Sequence, residues 1–170
     1  MGQALGGVMN RKQKGFSLIE LLIVVAIILI IAAIAIPNLL RSRMAANEAS
    51  AVGSLRTINT AEVTYSTTYP TVGFAALANL GGAASSCAGA TYASSANACL
   101  VDQVLATTAV KSGYNFTATA GAGTPAVTYT SLAVPSVNGQ SGQRAFCSDQ
   151  SGVIRFNPGG TACTNTDSAL

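Results

Sequence analysis

An unbroken apolar run near the amino terminus decides the fold of this chain. Residues 21–36 read LLIVVAIILIIAAIAI, sixteen apolar residues in succession, and the wider segment 16–40 holds a single charged residue, Glu20. About 20 helical residues, each rising about 1.5 Å, are enough to cross the hydrocarbon core of a bilayer. A core helix of a soluble domain is a less suitable interpretation, because such helices usually keep a polar face and this run has none. The sequence therefore predicts a membrane-spanning helix.

The residues before the run indicate its orientation. Arg11, Lys12 and Lys14 precede the run, and basic residues before an apolar stretch mark the cytoplasmic side of a membrane. An ordinary signal anchor and a secretory signal peptide cut after residues 33–35 are the competing interpretations. The run exceeds the roughly 7–15 apolar residues of a signal peptide, and Glu20 lies at its start, so we favour an anchor that is retained.

Composition excludes most catalytic classes. The chain has 170 residues, of which 49% are hydrophobic and 9% charged, and it contains no His and no Trp. Without His there is no Ser-His-Asp or Cys-His nucleophile and no His-ligated zinc. Six carboxylates are too few for paired acid–base chemistry or a carboxylate metal cluster. We expect a protein that is not an enzyme and that needs no cofactor and no metal.

The net charge of +3 does not indicate a nucleic-acid surface. Apart from the three basic residues at 11–14, the sequence has no basic cluster, and nucleic-acid binding depends on such clusters. We therefore expect no nucleic acid as the primary partner.

Glu20 is the most informative charged residue. An ionisable side chain within a membrane segment costs a few kcal/mol and marks a functional site by default. Its segment offers no cation to pair with it. The partner must come from another chain, from a chain terminus or from protonation.

The residues around Glu20 form a recognisable motif. Residues 14–22, KGFSLIELL, resemble the processing and methylation motif of type IV prepilins and type II secretion pseudopilins. The resemblance implies that a prepilin peptidase cuts between Gly15 and Phe16 and N-methylates the new amino terminus at Phe16. It also implies that Glu20 meets the terminal amine of a neighbouring subunit as a filament grows. Pro37 is expected to kink the helix without ending it.

The resemblance implies a structural subunit of a type IV pilus or a pilus-like filament. The expected partners are further copies in a helical filament, prepilin peptidase, and an inner-membrane assembly platform with its ATPase. The chain would first cross the bacterial inner membrane once, with its amino terminus cytoplasmic and its head periplasmic. It would then enter a surface pilus or a periplasmic pseudopilus. A type II secretion pseudopilin that drives protein export is the alternative, and a monomeric membrane-anchored binding domain is a third.

The start of the leader has two interpretations. Residues 9–15, MNRKQKG, alone form a leader of the family's usual kind, and residues 1–8 add nothing to it. We expect translation to begin at Met9 rather than Met1. The organisation then expected is a leader at 1–15, a transmembrane and filament-core helix at 16–40, its amphipathic half at 41–68 and a globular head at 69–170.

The second half of the long helix and the head have patterns of their own. Ala51, Leu55, Ile58, Ala61 and Tyr65 recur at helical spacing and predict an apolar stripe that packs on the head. Alternating residues then predict short strands. The expected elements after a loop over 71–98 are a short helix at 98–110 and strands at 114–120, 127–134, 143–148 and 153–156. The fold class is α+β, type IV pilin-like, with the long helix packed on an antiparallel sheet of about four strands.

Four cysteines lie in the expected head, at positions 87, 99, 147 and 163. An exported head makes disulfides the natural interpretation. Four cysteines allow three pairings, and the sequence does not decide among them. We favour the local pairs Cys87–Cys99 and Cys147–Cys163, and a carboxy-terminal disulfide loop is also common in type IV pilins.

Overall fold

The structure is a computed structural model, and it describes residues 15–83, 85, 87 and 93–170. The basic residues at 11–14 and the expected start at Met9 lie outside the described residues. The chain divides into two compact units, with the boundary between Leu39 and Leu40.

One helix, α1, spans Leu18–Thr68 and contains Pro37 in its interior. It begins two residues later than the start of the predicted segment and ends where the sequence predicted. The helix therefore continues past Pro37. Its second half buries the predicted stripe, because Ala51, Leu55 and Ile58 are fully buried and Ala61 and Tyr65 nearly so.

The head contains a six-stranded antiparallel sheet whose strands follow chain order. The strands are β1 Val110–Lys111, β2 Tyr114–Ala120, β3 Tyr129–Pro135, β4 Ala145–Asp149, β5 Arg155–Asn157 and β6 Ser168–Ala169. The four predicted strands correspond to β2–β5, and the α+β class is confirmed. β1 and β6 were missed because two residues are too few to show an alternating pattern.

The predicted helix over 98–110 is wrong in extent. The structure has a single π-helical turn, Val104–Thr108, and a four-residue helix α2, Leu77–Leu80, within the expected loop. Cys99 and Ala109 both have left-handed backbone angles, with φ of 58° and 54°. Left-handed residues cannot continue a right-handed helix, so no helix can run through Cys99 or Ala109, and the π-helical turn ends before Ala109.

Polar side chains of α1 also fasten the helix to the sheet. The side-chain amide nitrogen of Asn59 donates to the Ser148 hydroxyl at 2.8 Å, and the Tyr129 hydroxyl donates to the side-chain oxygen Oδ1 of Asn59 at 3.1 Å. The Asn47 amide donates to the backbone carbonyl of Ser141 at 2.8 Å. These bonds fix which part of the helix faces which loop of the head.

Glu48 makes the most extensive of these polar contacts. Its Oε1 accepts the backbone N–H groups of Gln143 and Arg144 at 3.0 and 3.1 Å, and its Oε2 accepts Arg144 Nε and Nη2, each at 2.8 Å. Burial alone would raise the pKa of Glu48, but these hydrogen bonds and the Arg144 charge hold it below the ordinary value. The Arg144 guanidinium also lies 5.3 Å from the ring centre of Phe146.

Glu62 is a second buried carboxyl of α1, and it has a very different environment. It is fully buried, and its Oε2 accepts the backbone N–H of Ala75 at 3.0 Å. In the described part of the chain its Oε1 has no hydrogen-bond partner. Burial raises the pKa of Glu62 to about 7, and the Ala75 hydrogen bond offsets only part of that rise. The sequence pattern did not single out this residue, because a Glu beside an apolar stripe looks like a solvated position.

We predict that Glu48→Ala destabilises the head by about 2–3 kcal/mol. The change leaves two backbone N–H groups and the Arg144 guanidinium without their acceptor. Chemical unfolding of the protein in a nonionic detergent, followed by tyrosine near-ultraviolet circular dichroism, measures the effect. Arg56→Ala, at an exposed position on the same helix, is the matched control and should change stability by less than about 0.5 kcal/mol. Equal unfolding curves for the two variants would contradict the role of Glu48.

We also predict that Glu62 weakens the fold as pH rises. Its pKa is about 7 in the folded chain against 4.5 in the reference state, so the folded chain holds the proton more tightly. The free energy of unfolding should therefore fall between about pH 4.5 and about pH 7 and then level off. Glu62→Gln should remove this fall and should be the more stable protein above about pH 7, by about 3 kcal/mol at most. Parallel stability–pH curves for the two proteins would show that Glu62 does not titrate in this way.

Candidate assembly site

The expected cleavage site lies at the amino-terminal end of the described residues. Gly15 and Phe16 are both exposed, and the Phe16 side chain keeps 81% of its accessible surface. A side chain added at Gly15 would meet nothing within 4 Å. The described chain therefore gives no packing reason for a glycine here. A protease that must fit the backbone at this point remains a chemical reason for it.

Glu20 caps the amino terminus of α1. The Ser17 backbone N–H donates to Glu20 Oε2 at 3.0 Å, and the Ser17 carbonyl accepts the N–H of Leu21 at 3.2 Å. This is one half of a capping box, the Ser-x-x-Glu arrangement at a helix amino terminus. The motif stands in the sequence as residues 17–20, so it could have been predicted but was not.

Glu20 has no cationic partner among the residues that the structure describes, since both ion pairs found there involve other residues. Its other carboxylate oxygen, Oε1, accepts no hydrogen bond from them either. The side chain is exposed, so this oxygen is open to a group outside the chain.

The apolar run of α1 lies uncovered. From Gly15 to Leu40 every residue is exposed except Ala32, which is half-buried. The helix includes a window with a mean hydropathy of 3.3, long and apolar enough to cross a membrane, and none of that window is buried in the chain. Pro37 lies within the uncovered part.

The structure contains two disulfides, Cys87–Cys99 and Cys147–Cys163. They are the two local pairs that the sequence analysis favoured. The second joins β4 to the carboxy-terminal segment, as expected. Cys147 pairs in register with Leu132 on one side and Arg155 on the other, so this disulfide lies in the middle of three adjacent strands.

Residues 15–83, 85, 87 and 93–170 contain no group of three or more His, Cys, Asp or Glu side chains that could hold a metal ion. Two further carboxylates of the head have local roles. Asp102 pairs with Lys111 at 2.8 Å, and Asp149 accepts the Ser151 backbone N–H at 2.8 Å. These contacts stabilise loops and do not gather functional groups at one point.

Comparison with known proteins identifies the amino-terminal segment. Residues 10–36 match the family described as "Prokaryotic N-terminal methylation motif". The chain is 66% identical over 38 residues, 22% of its length, to the type IV wide pilus major component PilA4 of Thermus thermophilus. It is 45% identical over 56 residues, 33% of its length, to the type IV major pilin protein PilA of Myxococcus xanthus.

These matches cover 29% and 26% of the two relatives, so the chain spans less than a third of the length of either. No solved structure matches the chain. Residues 10–36, which match the methylation-motif family, include Gly15, Phe16, Glu20 and the apolar residues 21–36. The amino-terminal segment of this chain therefore carries a prokaryotic N-terminal methylation motif and is similar to that of type IV pilins.

Proposed function

We propose that the chain is a structural subunit of a type IV pilus or a pilus-like filament. A prepilin peptidase removes residues 1–15 and methylates the amino group of Phe16. The subunit then waits in the inner membrane, anchored by residues 16–40, with residues 69–170 on the periplasmic side. An assembly platform with its ATPase moves it into a helical filament. The observation that carries the proposal is the uncovered apolar run of α1 directly after a methylation motif.

The uncovered run needs an apolar environment in either state of the protein. Large side chains from Leu18 to Leu40 keep about half or more of their surface in the single chain. Each square ångström of apolar surface removed from water contributes about 25 cal/mol. Lipid tails meet this need before assembly, and the same run of neighbouring copies meets it within a filament.

Glu20 selects one register for the packing of apolar helices, which is otherwise nonspecific. Apolar helices attract each other in many registers, whereas a charge among them is costly unless an opposite charge lies at one particular place. The terminal amine of a neighbour's Phe16 is such a charge, and Glu20 Oε1 is the open acceptor for it. Oε2 can keep its bond to Ser17 while this pair forms.

Both relatives are named as components of type IV pili, and this favours a pilus over a secretion pseudopilus. Shearing of surface filaments from cells tests the choice between a pilus and a secretion pseudopilus. Long surface filaments that contain this chain, beginning at Phe16, would support the pilus. A lack of such filaments, with exported proteins held in the periplasm after deletion of the gene, would overturn it in favour of secretion. A chain that stays monomeric in the membrane would overturn both.

Processing should fail when Gly15 is replaced by a bulky residue. Because no described residue crowds Gly15, Gly15→Leu should leave the fold unchanged and block the cut by crowding the protease. An immunoblot should show precursor in place of mature protein. Gly53→Leu, also at an exposed glycine with open space around it, is the control and should be processed normally. Normal processing of Gly15→Leu would refute the assigned cut.

Glu20 variants should separate the charge from the helix cap. Glu20→Gln keeps the capping arrangement, which accepts Gln as well as Glu, but removes the charge. We expect normal processing and a loss of sheared filaments of at least about tenfold, since an unpaired terminal amine in the filament core costs a few kcal/mol. Glu20→Asp, which keeps the charge on a shorter side chain, should retain more filament. Wild-type filament yield from Glu20→Gln would show that the cap, and not the charge, is what assembly requires.

A further inference from the structure

The six carboxylate side chains of the sequence all lie among the described residues, and five of them are buried or form contacts within the second unit. Glu48 pairs with Arg144 and Asp102 pairs with Lys111. Glu62 is fully buried. Asp149 accepts from Ser151, and Asp167 accepts the Thr164 backbone N–H at 2.7 Å. Only Glu20 remains, and the proposed filament already gives it a partner.

The arginines of α1 are not matched in this way. Arg41, Arg43 and Arg56 are exposed, and in the described part of the chain none of them forms an ion pair. Arg41 and Arg43 follow the last residue of the uncovered apolar run by one and three positions. A helix rises about 1.5 Å per residue, so both guanidinium groups belong to the level at which the apolar run ends.

Arg43 lines a polar cleft in the head. The cleft has a volume of about 280 Å³, and its other walls include Asn47 on α1, Ser112 and Gly113 between β1 and β2, and Gln140 and Ser141 after β3. The Asn47–Ser141 hydrogen bond holds the floor together. A side chain at Gly113 would lie 2.8 Å from the Ser141 Cβ, so the close approach of the two loops depends on that glycine.

The cleft has donors that nothing in the described chain uses. The Arg43 guanidinium and the Gln140 side-chain amide both face solvent without a hydrogen-bond partner among the described residues. A guanidinium matches a phosphate geometrically, because two parallel N–H groups meet two oxygens. Arg43 follows the apolar run by three residues in the sequence, and lipid headgroups lie at the ends of a membrane-spanning segment.

We propose that this cleft binds the phosphate of an anionic phospholipid while the subunit is held in the membrane. The inference rests on the membrane-anchored stage of the proposed function. Arg43 holds the phosphate, and Gln140 donates to it. The contact sets the depth of the head against the membrane surface before the subunit is extracted.

A second copy of the chain is the less suitable occupant. In such a copy Glu48 and Asp102 already pair with cations and Glu62 is fully buried, and a cleft with an unpaired guanidinium needs a negative charge. A phospholipid supplies that charge at high local concentration. The membrane therefore provides what the chain itself lacks.

The experiment uses the full chain in nanodiscs of phosphatidylcholine that contain either phosphatidylglycerol or the same proportion of diacylglycerol, which lacks the phosphate. Hydrogen exchange of the backbone amides at 112–113 and 136–142, followed by mass spectrometry, is the readout. We expect exchange about fivefold slower with phosphatidylglycerol. The slowing should be lost in Arg43→Gln and kept in Arg56→Gln. Unchanged exchange at 114–120 in every sample verifies that each variant is folded.

The other outcomes each overturn the proposal. Equal exchange in both kinds of disc, or slowing that survives in Arg43→Gln, would show that the cleft does not hold the lipid phosphate. Slowing by inorganic phosphate added to diacylglycerol discs would assign the cleft to free phosphate instead. Slowing that follows the number of chains per disc would assign it to a second copy. Failure of the chain to enter discs would overturn the proposed membrane anchor as well, whereas entry without slowing would overturn the lipid contact alone.

Discussion

The constraint on which the structure depends is an apolar helix surface that the chain does not cover. A soluble protein folds so that its apolar residues pack on one another, but the first half of α1 leaves its apolar side chains exposed. At about 25 cal/mol for each square ångström, this surface is the largest source of free energy that the chain holds for contacts outside itself. Membrane insertion and filament packing are two ways of burying the same surface.

The second half of the same helix solves a different problem, because it must hold a head through a single element. Apolar contacts from Leu55, Ile58 and Tyr65 supply most of the burial, and polar side chains fix the position. Asn47 and Glu48 bind the loops nearest the apolar run, Asn59 binds the sheet, and Glu62 binds the chain at Ala75. These polar contacts fix the register of the helix on the head, since each one is satisfied in only one arrangement.

The sequence predicted what depends on periodicity and missed what depends on tertiary contact. The long helix, the stripe from Ala51 to Tyr65 and strands β2–β5 follow from patterns of period 3.6 or 2. The disulfide pairs were favoured because they are local, although the sequence alone did not decide among the three pairings. The partner of Glu48 could not be predicted, because Arg144 lies 96 residues away and only the fold brings the two together. The buried state of Glu62 was missed for the same reason.

The head and the helix also divide the charge of the chain between them. Removal of residues 1–15 takes away Arg11, Lys12 and Lys14 and leaves six basic against six acidic side chains, so the proposed mature subunit is neutral. Neutrality does not mean balance at each place, because Glu48, Glu62 and Asp102 are paired or buried within the described chain, while Arg41, Arg43 and Arg56 form no ion pair there. Near pH 7 partial protonation of Glu62 makes the net charge of the subunit slightly positive. A nearly neutral subunit lets many copies pack without strong mutual repulsion. The open arginines next to the apolar run then leave each copy with a local attraction for anions at the membrane surface.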